Sequence, residues 1–393
     1  VKATTHTPFW KRQSFLIEAG LVVAIALLLF FVIPPILVGI GQGFRVGLLA
    51  RFLSLAIVAL GIDLIWGYTG ILSLGHGLFF ALGGYSLAMY LQLQIPDGQL
   101  PDFFMLYGVT ELPAFWKPFH SLPFTLFSIV LLPAIVGGVL GYLVFRNRIR
   151  GVYFSILTQA ALIVFFNFFN GQQKLINGTN GLKTDTTTIF GQVVSSPPIQ
   201  TMFYALTIIF LIVAYALCRW LTSGRLGRLL VAIRDDESRV RFTGYDPTGF
   251  KVLVFVVSAA LAGIAGALFT VQSGIISPKA MDIAFSIEMV IWVAVGGRAS
   301  LIGAIIGALI VNFAKSLLSE QFPQVWYFFQ GALFLTVVTV LPGGLVGWLR
   351  TDGLELVRSR LLHKRQLLTY PSLEEDPEVQ YERENFANRE SDG

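Results

Sequence analysis

Ten apolar stretches dominate this chain, running roughly over 15–40, 46–66, 71–93, 123–145, 151–169, 199–220, 252–272, 284–296, 299–319 and 325–349. About 20 apolar residues in a helix, at roughly 1.5 Å rise each, cross a ~30 Å hydrocarbon core. Most of the stretches meet that length; the eighth is short and reads as a half-helix or as a span that begins earlier. The expected fold is therefore all-α and polytopic, with about ten transmembrane helices in a domain over 15–350. Composition agrees. Only 13% of residues are charged and mean hydropathy is +0.71, whereas a soluble domain carries about 25% charged residues. A soluble surface is excluded on that ground. The stretch 15–40 is too long for a signal peptide and lacks a small-residue cleavage pattern, so it reads as a retained first span. The single cysteine, Cys218, excludes an intramolecular disulfide and a cysteine-based metal site.

Charge placement orients the spans. With ten spans and the amino end inside, the inner segments are 1–14, 67–70, 146–150, 219–251, 297–298 and the tail from 350. They hold 21 of the 28 Lys and Arg, the asymmetry that marks cytoplasmic loops. Both termini are expected to be cytoplasmic. The tail, 351–393, divides into a basic amphipathic helix near 354–368 and an acidic end, 371–393, expected to be disordered.

One inner segment is far longer than a connection needs. Residues 222–251 place Arg234, Asp235, Asp236 and Glu237 inside an apolar-periodic stretch with Leu229, Leu230, Ile233, Val240 and Phe242. Gly244 follows as a helix stop. The pattern predicts a short amphipathic helix over 231–243, docking its apolar side into a partner's groove while Arg239 and its neighbours fix register. The plainer alternative is a linker lying on the membrane surface.

This segment resembles the cytoplasmic coupling loop of ABC importer permeases. Glu237 and Gly244 keep the ends of that pattern, while Arg239 and Val240 stand where paired alanines are usual. GYTGILSLGHGLFFALGGY at 67–85 and SAALAGIAGAL at 258–268 resemble the branched-chain amino acid permease family. LPDFF at 100–104, ELPAFWKPF at 111–119, QQKLINGTNGLK at 172–183, GRLLVAIRDDESRVRFTGYDP at 227–247 and the long string over 286–347 resemble its urea-importer branch. The resemblance covers about 15–350. It implies an ABC importer permease fold in a bacterial inner membrane. It also implies a homologous second permease, two cytoplasmic ATPase subunits and an external urea-binding protein. The chain contains no G-x-x-x-x-G-K-[ST] phosphate loop. ATP and its magnesium are accordingly expected on the ATPase subunits, with no cofactor, metal or catalytic residue in this chain.

Polar residues inside spans are candidates for a translocation path, each with a packing alternative. Ser73 and His76 fall in a glycine-crowded stretch. Gln159, Asn167 and Asn170 lie near one stripe of the fifth span, as interhelical glue or as partners for urea, a neutral diamide. Glu288 sits in an apolar run with Trp292 one turn on. Its expected partner, if structural, is an arginine, with Arg51 at matching depth. Asp63 is expected to reach the interface at the inner end of its span. Gly303 and Gly307 form a G-x-x-x-G packing face. The reading is an ATP-driven urea permease subunit. Alternatives are a permease for branched-chain amino acids and, in another class, a passive urea channel. A membrane enzyme is disfavoured because His6, His76, His120 and His363 form no ligand motif.

Overall fold

The computed structural model describes residues 20, 22, 24–95, 99–149, 151–322, 326–340 and 343–348. The chain divides into two units, Val1–Val346 and Gly347–Gly393. The first is described below. The amino end over 1–14 and the basic and acidic parts of the tail lie outside the described residues.

Eleven main helices follow one another: α1 (Ala24–Gly39), α2 (Phe44–Thr69), α3 (His76–Gln92), α4 (Leu122–Arg146), α5 (Val152–Gly171), α6 (Pro197–Ser223), α7 (Arg225–Phe242), α8 (Pro247–Ser273), α9 (Ile283–Gly296), α10 (Leu301–Gln321) and α11 (Trp326–Val340). Each of the ten apolar stretches holds one, and α7 is the extra helix of the long inner segment. Among the described residues, α2, α4, α5, α6, α8 and α10 are long and apolar enough to cross a membrane. The others are shorter as described, so length and hydropathy mark six candidate spans among the described residues, against the ten or so expected from the sequence. The chain is also not purely helical. Strand β1 (Leu182–Lys183) pairs antiparallel with β4 (Ile275–Ile276), and β2 (Thr188–Ile189) with β3 (Gln192–Val193).

Local chemistry explains the helix ends. In α1, Pro34 and Pro35 follow a π-turn, Leu28–Val32. A proline removes a donor and crowds the carbonyl four residues back, which a wider turn relieves. Asp246 caps α8 by accepting the Thr248 amide at 3.0 Å. The third span departs from expectation: helix begins at His76, and residues 70–75 are irregular. Apolar residues there look the same to hydropathy in either conformation. The freed backbone is satisfied by α5. Thr158 Oγ1 accepts the Leu74 amide at 3.1 Å, and Ser155 donates to the Leu72 carbonyl at 2.6 Å. Irregular backbone at membrane depth is tolerated when buried in protein in this way.

Helix α8 is the centre of the bundle, packed on α2, α3 and α4, while α9 and α10 pair and lie against α2. Small residues set these distances. A Cβ at Gly83 would lie 2.0 Å from the Gly263 carbonyl oxygen, and one at Gly307 would lie 2.1 Å from that of Trp292. The second contact is the G-x-x-x-G packing anticipated for Gly303 and Gly307. One end of the bundle holds residues 70–75, the α4–α5 turn, α7 and the α9–α10 turn; it is called the coupling end below. The loops over 99–121 and 172–196 gather at the opposite, distal end.

Candidate functional site: the coupling element and the intramembrane charges

The expected single helix over 231–243 is instead the second part of α7, interrupted at Asp236, which has φ −155° and ψ 95°. The break has a local cause. The Asp236 carboxylate accepts the amides of Ser238 and Arg239 at 3.0 and 3.2 Å, acting as the cap of a new short helix. Arg239 reinforces it at 2.9 Å. Gly244 ends the element with φ +88°.

The apolar side of α7 is largely taken up by this chain. Leu230, Ile233 and Val240 are buried in it, so they are not free for a partner's groove. Phe242 is the exception, at 90% exposure, with Tyr245 exposed beside it. Amphipathic periodicity marks which residues share a face; it does not say whether that face meets its own chain or another.

Charges bind α7 to the bundle. Glu237 is buried and bridges Arg241 at 2.9 Å and Lys251 at 2.7 Å. Lys251, in the first turns of α8, also lies 5.4 Å from the Phe145 ring centroid. Arg234 pairs with Asp235 at 3.2 Å and donates to the Gly67 carbonyl at 2.9 Å. Asp246 accepts from both the amide and the hydroxyl of Thr248; these bonds favour its ionised form and hold its pKa below the usual carboxylate range. A cavity of about 320 Å³ lies between α7, the end of α2 and the α4–α5 turn, with Arg234, Asp235, Asp236, Glu237 and Lys251 on its wall.

The intramembrane candidates fall into separate places. Ser73 and His76 are buried, and His76 Nε2 lies 2.8 Å from Ser258 Oγ, with Phe79 and Phe255 edge-on to its ring. Gln159 is half-buried on α5. Asn167 is exposed on the same helix and donates to the Ile163 carbonyl at 3.0 Å. Glu288 and Trp292 are buried on α9. The partner of Glu288 is Lys315 of α10 at 2.6 Å, not Arg51, whose Nε donates to the Gln272 carbonyl at 3.0 Å. Depth fixes height along a helix and leaves its azimuth open, which is why Arg51 was the wrong choice. Glu288 Oε1 and Trp292 Nε1 find no hydrogen-bond partner among the described residues. Asp63 does not reach an interface. It is fully buried and accepts the Ala299 amide at 2.7 Å. Sequence reasoning missed Lys251 and Lys315 as partners. Their signal was a lone cation inside an otherwise apolar helix.

The comparisons agree with the membrane architecture and with a transport role. Residues 44–338 match the family model described as branched-chain amino acid transport system, permease component. The high-affinity branched-chain amino acid transport system permease protein LivM of Salmonella typhimurium is 26% identical over 85% of this chain and 75% of its own length. Its Escherichia coli counterpart is 26% identical over 82% and 74%. The permease protein LivH of Escherichia coli is 25% identical over 74% of this chain and 91% of its own length. No solved structure matches the chain. The chain belongs to the permease component family of branched-chain amino acid ABC transport systems, whose members are transport subunits and not enzymes.

Proposed function

We propose that this chain is one half of the translocation path of an ATP-driven importer in a bacterial inner membrane, and that α7 with the 236–244 segment receives the ATPase subunits. The observation that carries this reading is the coupling element itself. A charged, internally broken helix is fixed to α2 and α8 by Arg234 and Glu237 and leaves Phe242 exposed. A passive channel has no use for such an element. The family implies a paired permease, ATPase subunits and a solute-binding protein as partners. ATP and magnesium then belong to the ATPase chains, and both termini of this chain to the cytoplasmic side.

The cargo is a small nitrogen solute, with two candidates on different grounds. The names of the relatives support branched-chain amino acids, which stand first for that reason. Urea is favoured by the segments at 100–104, 111–119 and 172–183, which resemble the urea-importer branch and all lie at the distal end. Ser73, His76, Gln159, Asn167, Glu288 and Trp292 are proposed to contribute to the path once it opens. Most of them are enclosed here, so passage requires the helices to part.

The test is uptake into proteoliposomes holding the chain with its partner permease, ATPases and binding protein. Labelled leucine and labelled urea are each supplied with and without ATP. ATP-dependent accumulation of one and not the other identifies the cargo. Equilibration without ATP returns the protein to the channel class.

A further inference from the structure

The turn between α9 and α10, residues 297–300, is strained and is held from outside itself. Ala299 has φ +58°, a conformation that a residue bearing a Cβ seldom adopts. The Asp63 carboxylate accepts its amide at 2.7 Å. Tyr68 donates its hydroxyl to the Ala299 carbonyl at 3.4 Å, and the Arg298 guanidinium lies 4.8 Å from the Trp66 ring centroid. All three holding residues belong to the last turns of α2. Backbone strain persists only where its surroundings over-determine it, and an observed outlier is a reason to look for function.

The same turns of α2 carry the coupling element on another side. Arg234 donates to the Gly67 carbonyl, and its Cγ would lie 2.9 Å from a Cβ at Gly70. A Cβ at Gly67 would lie 2.4 Å from the Ala299 nitrogen. Gly67 is therefore gripped by the coupling arginine at its carbonyl and by the strained turn at its α-carbon, with no room between them. Packing this close transmits displacement instead of absorbing it. Beyond the turn, α9 carries Glu288 and Trp292, and α10 carries Lys315.

We infer that the end of α2, from Asp63 to Gly70, relays movement of the coupling element to the α9–α10 pair, with Asp63 as the positioning residue that holds Ala299 in its strained state. The inference rests on the importer reading above and adds a step to it. When α7 moves, Arg234 carries Gly67 with it. Asp63 and Tyr68 follow, the hold on Ala299 changes, and α9 and α10 shift against each other. Asp63 Oδ2 is buried and finds no hydrogen-bond partner among the described residues.

Two measurements test the relay apart from the reading it rests on. The first is hydrogen exchange at the Ala299 amide in the full chain in lipid nanodiscs. Arg234→Ala, which leaves the turn untouched, is expected to raise that exchange several-fold. An unchanged rate overturns the relay whatever the complex transports. The second is solute moved per ATP hydrolysed in the complete importer. Ala299→Gly relieves strain and so spares the fold. It is expected to lower that ratio several-fold while ATP hydrolysis continues. Asp63→Asn keeps an oxygen for the Ala299 amide and is expected to stay near the wild-type ratio. A wild-type ratio in Ala299→Gly also overturns the inference. ATP-dependent uptake by the wild-type complex reports on the importer reading alone.

Discussion

The two ends of the bundle are held by different chemistry. At the coupling end the contacts are ionic and partly buried: Glu237 with Arg241 and Lys251, and Asp236 with Arg239. At the distal end several of the contacts are neutral. Trp116 donates to the Leu175 carbonyl at 3.0 Å, Asn177 to the Gly181 carbonyl at 2.7 Å, and Gln92 to the Lys183 carbonyl. The distal loops also open into a cavity of about 1130 Å³, whereas the coupling-end cavity is about 320 Å³. A buried charge pair is costly to break, because the abandoned partner stays desolvated. A neutral bond contributes little singly and reforms easily with water. The coupling end is thus held by contacts that are costly to rearrange, and the distal end by contacts that rearrange readily around a larger cavity.

The sharpest way to break this comparison is Glu237→Ala. It removes the carboxylate that bridges Lys251, which is 6% exposed, and Arg241. The expected loss is about 3–5 kcal/mol, the range for removing one member of a buried pair. Thermal unfolding in nanodiscs measures it. A loss no larger than that of a distal substitution would abolish the distinction between the ends. Glu288→Gln comes next. Its partner Lys315 has a side chain 37% exposed, so the stranded ammonium can turn toward the interface. The expected loss is about 1–2 kcal/mol, typical of polar contacts between membrane helices. The same unfolding measurement, set beside Glu237→Ala, shows whether burial of the cation sets the scale.

Trp116→Phe tests the distal end. It deletes the donor to Leu175 and keeps most of the ring packing against Phe119, whose centroid lies 5.0 Å away. About 0.5–1.5 kcal/mol is expected, the net contribution of one hydrogen bond. Two distal substitutions together should add, since these bonds do not share partners. Strong coupling between Trp116→Phe and Asn177→Ala, measured as a double-mutant cycle, would mean the distal loops act as one rigid unit.

What the sequence made legible follows the same division. The helical character of the apolar stretches, the extra helix of 222–251 and its stop at Gly244 were readable, because apolar runs and a displaced charge cluster are local signals. The irregular backbone of residues 70–75 was not, since Ile71, Leu72 and Leu74 are equally apolar as helix or loop. Asp236 read as one more charge of the cluster. Its capping role depends on a backbone break that periodicity does not record. Lys251, which pairs with Glu237, and Lys315, which pairs with Glu288, lie 14 and 27 residues away, and only the fold brings these pairs together. Phe242 was assigned to the correct helix and the wrong company. It sits two residues after Val240, about 200° around a helix, and so points away from the face that Leu230 and Ile233 bury.

Phe242 gives the smallest effect on the chain and the cleanest test of what the coupling end is for. A side chain 90% exposed makes few contacts within its own chain. Phe242→Ala should change stability by no more than about 0.5 kcal/mol, as for other surface positions. In a partner's groove the same ring would act as a buried aromatic anchor, where truncation costs more than about 1 kcal/mol of association. The expected outcome is an unaltered unfolding temperature together with weaker ATPase association, read by titrating the ATPase onto the permease pair. Arg239→Ala, exposed and paired with Asp236, serves as the control for charge at the same surface. Weakening by both would make the surface electrostatic. Weakening by Phe242→Ala alone would make it a single-anchor contact. Undiminished association in Phe242→Ala would leave the exposed ring to the membrane surface and move the ATPase contact elsewhere on the coupling end.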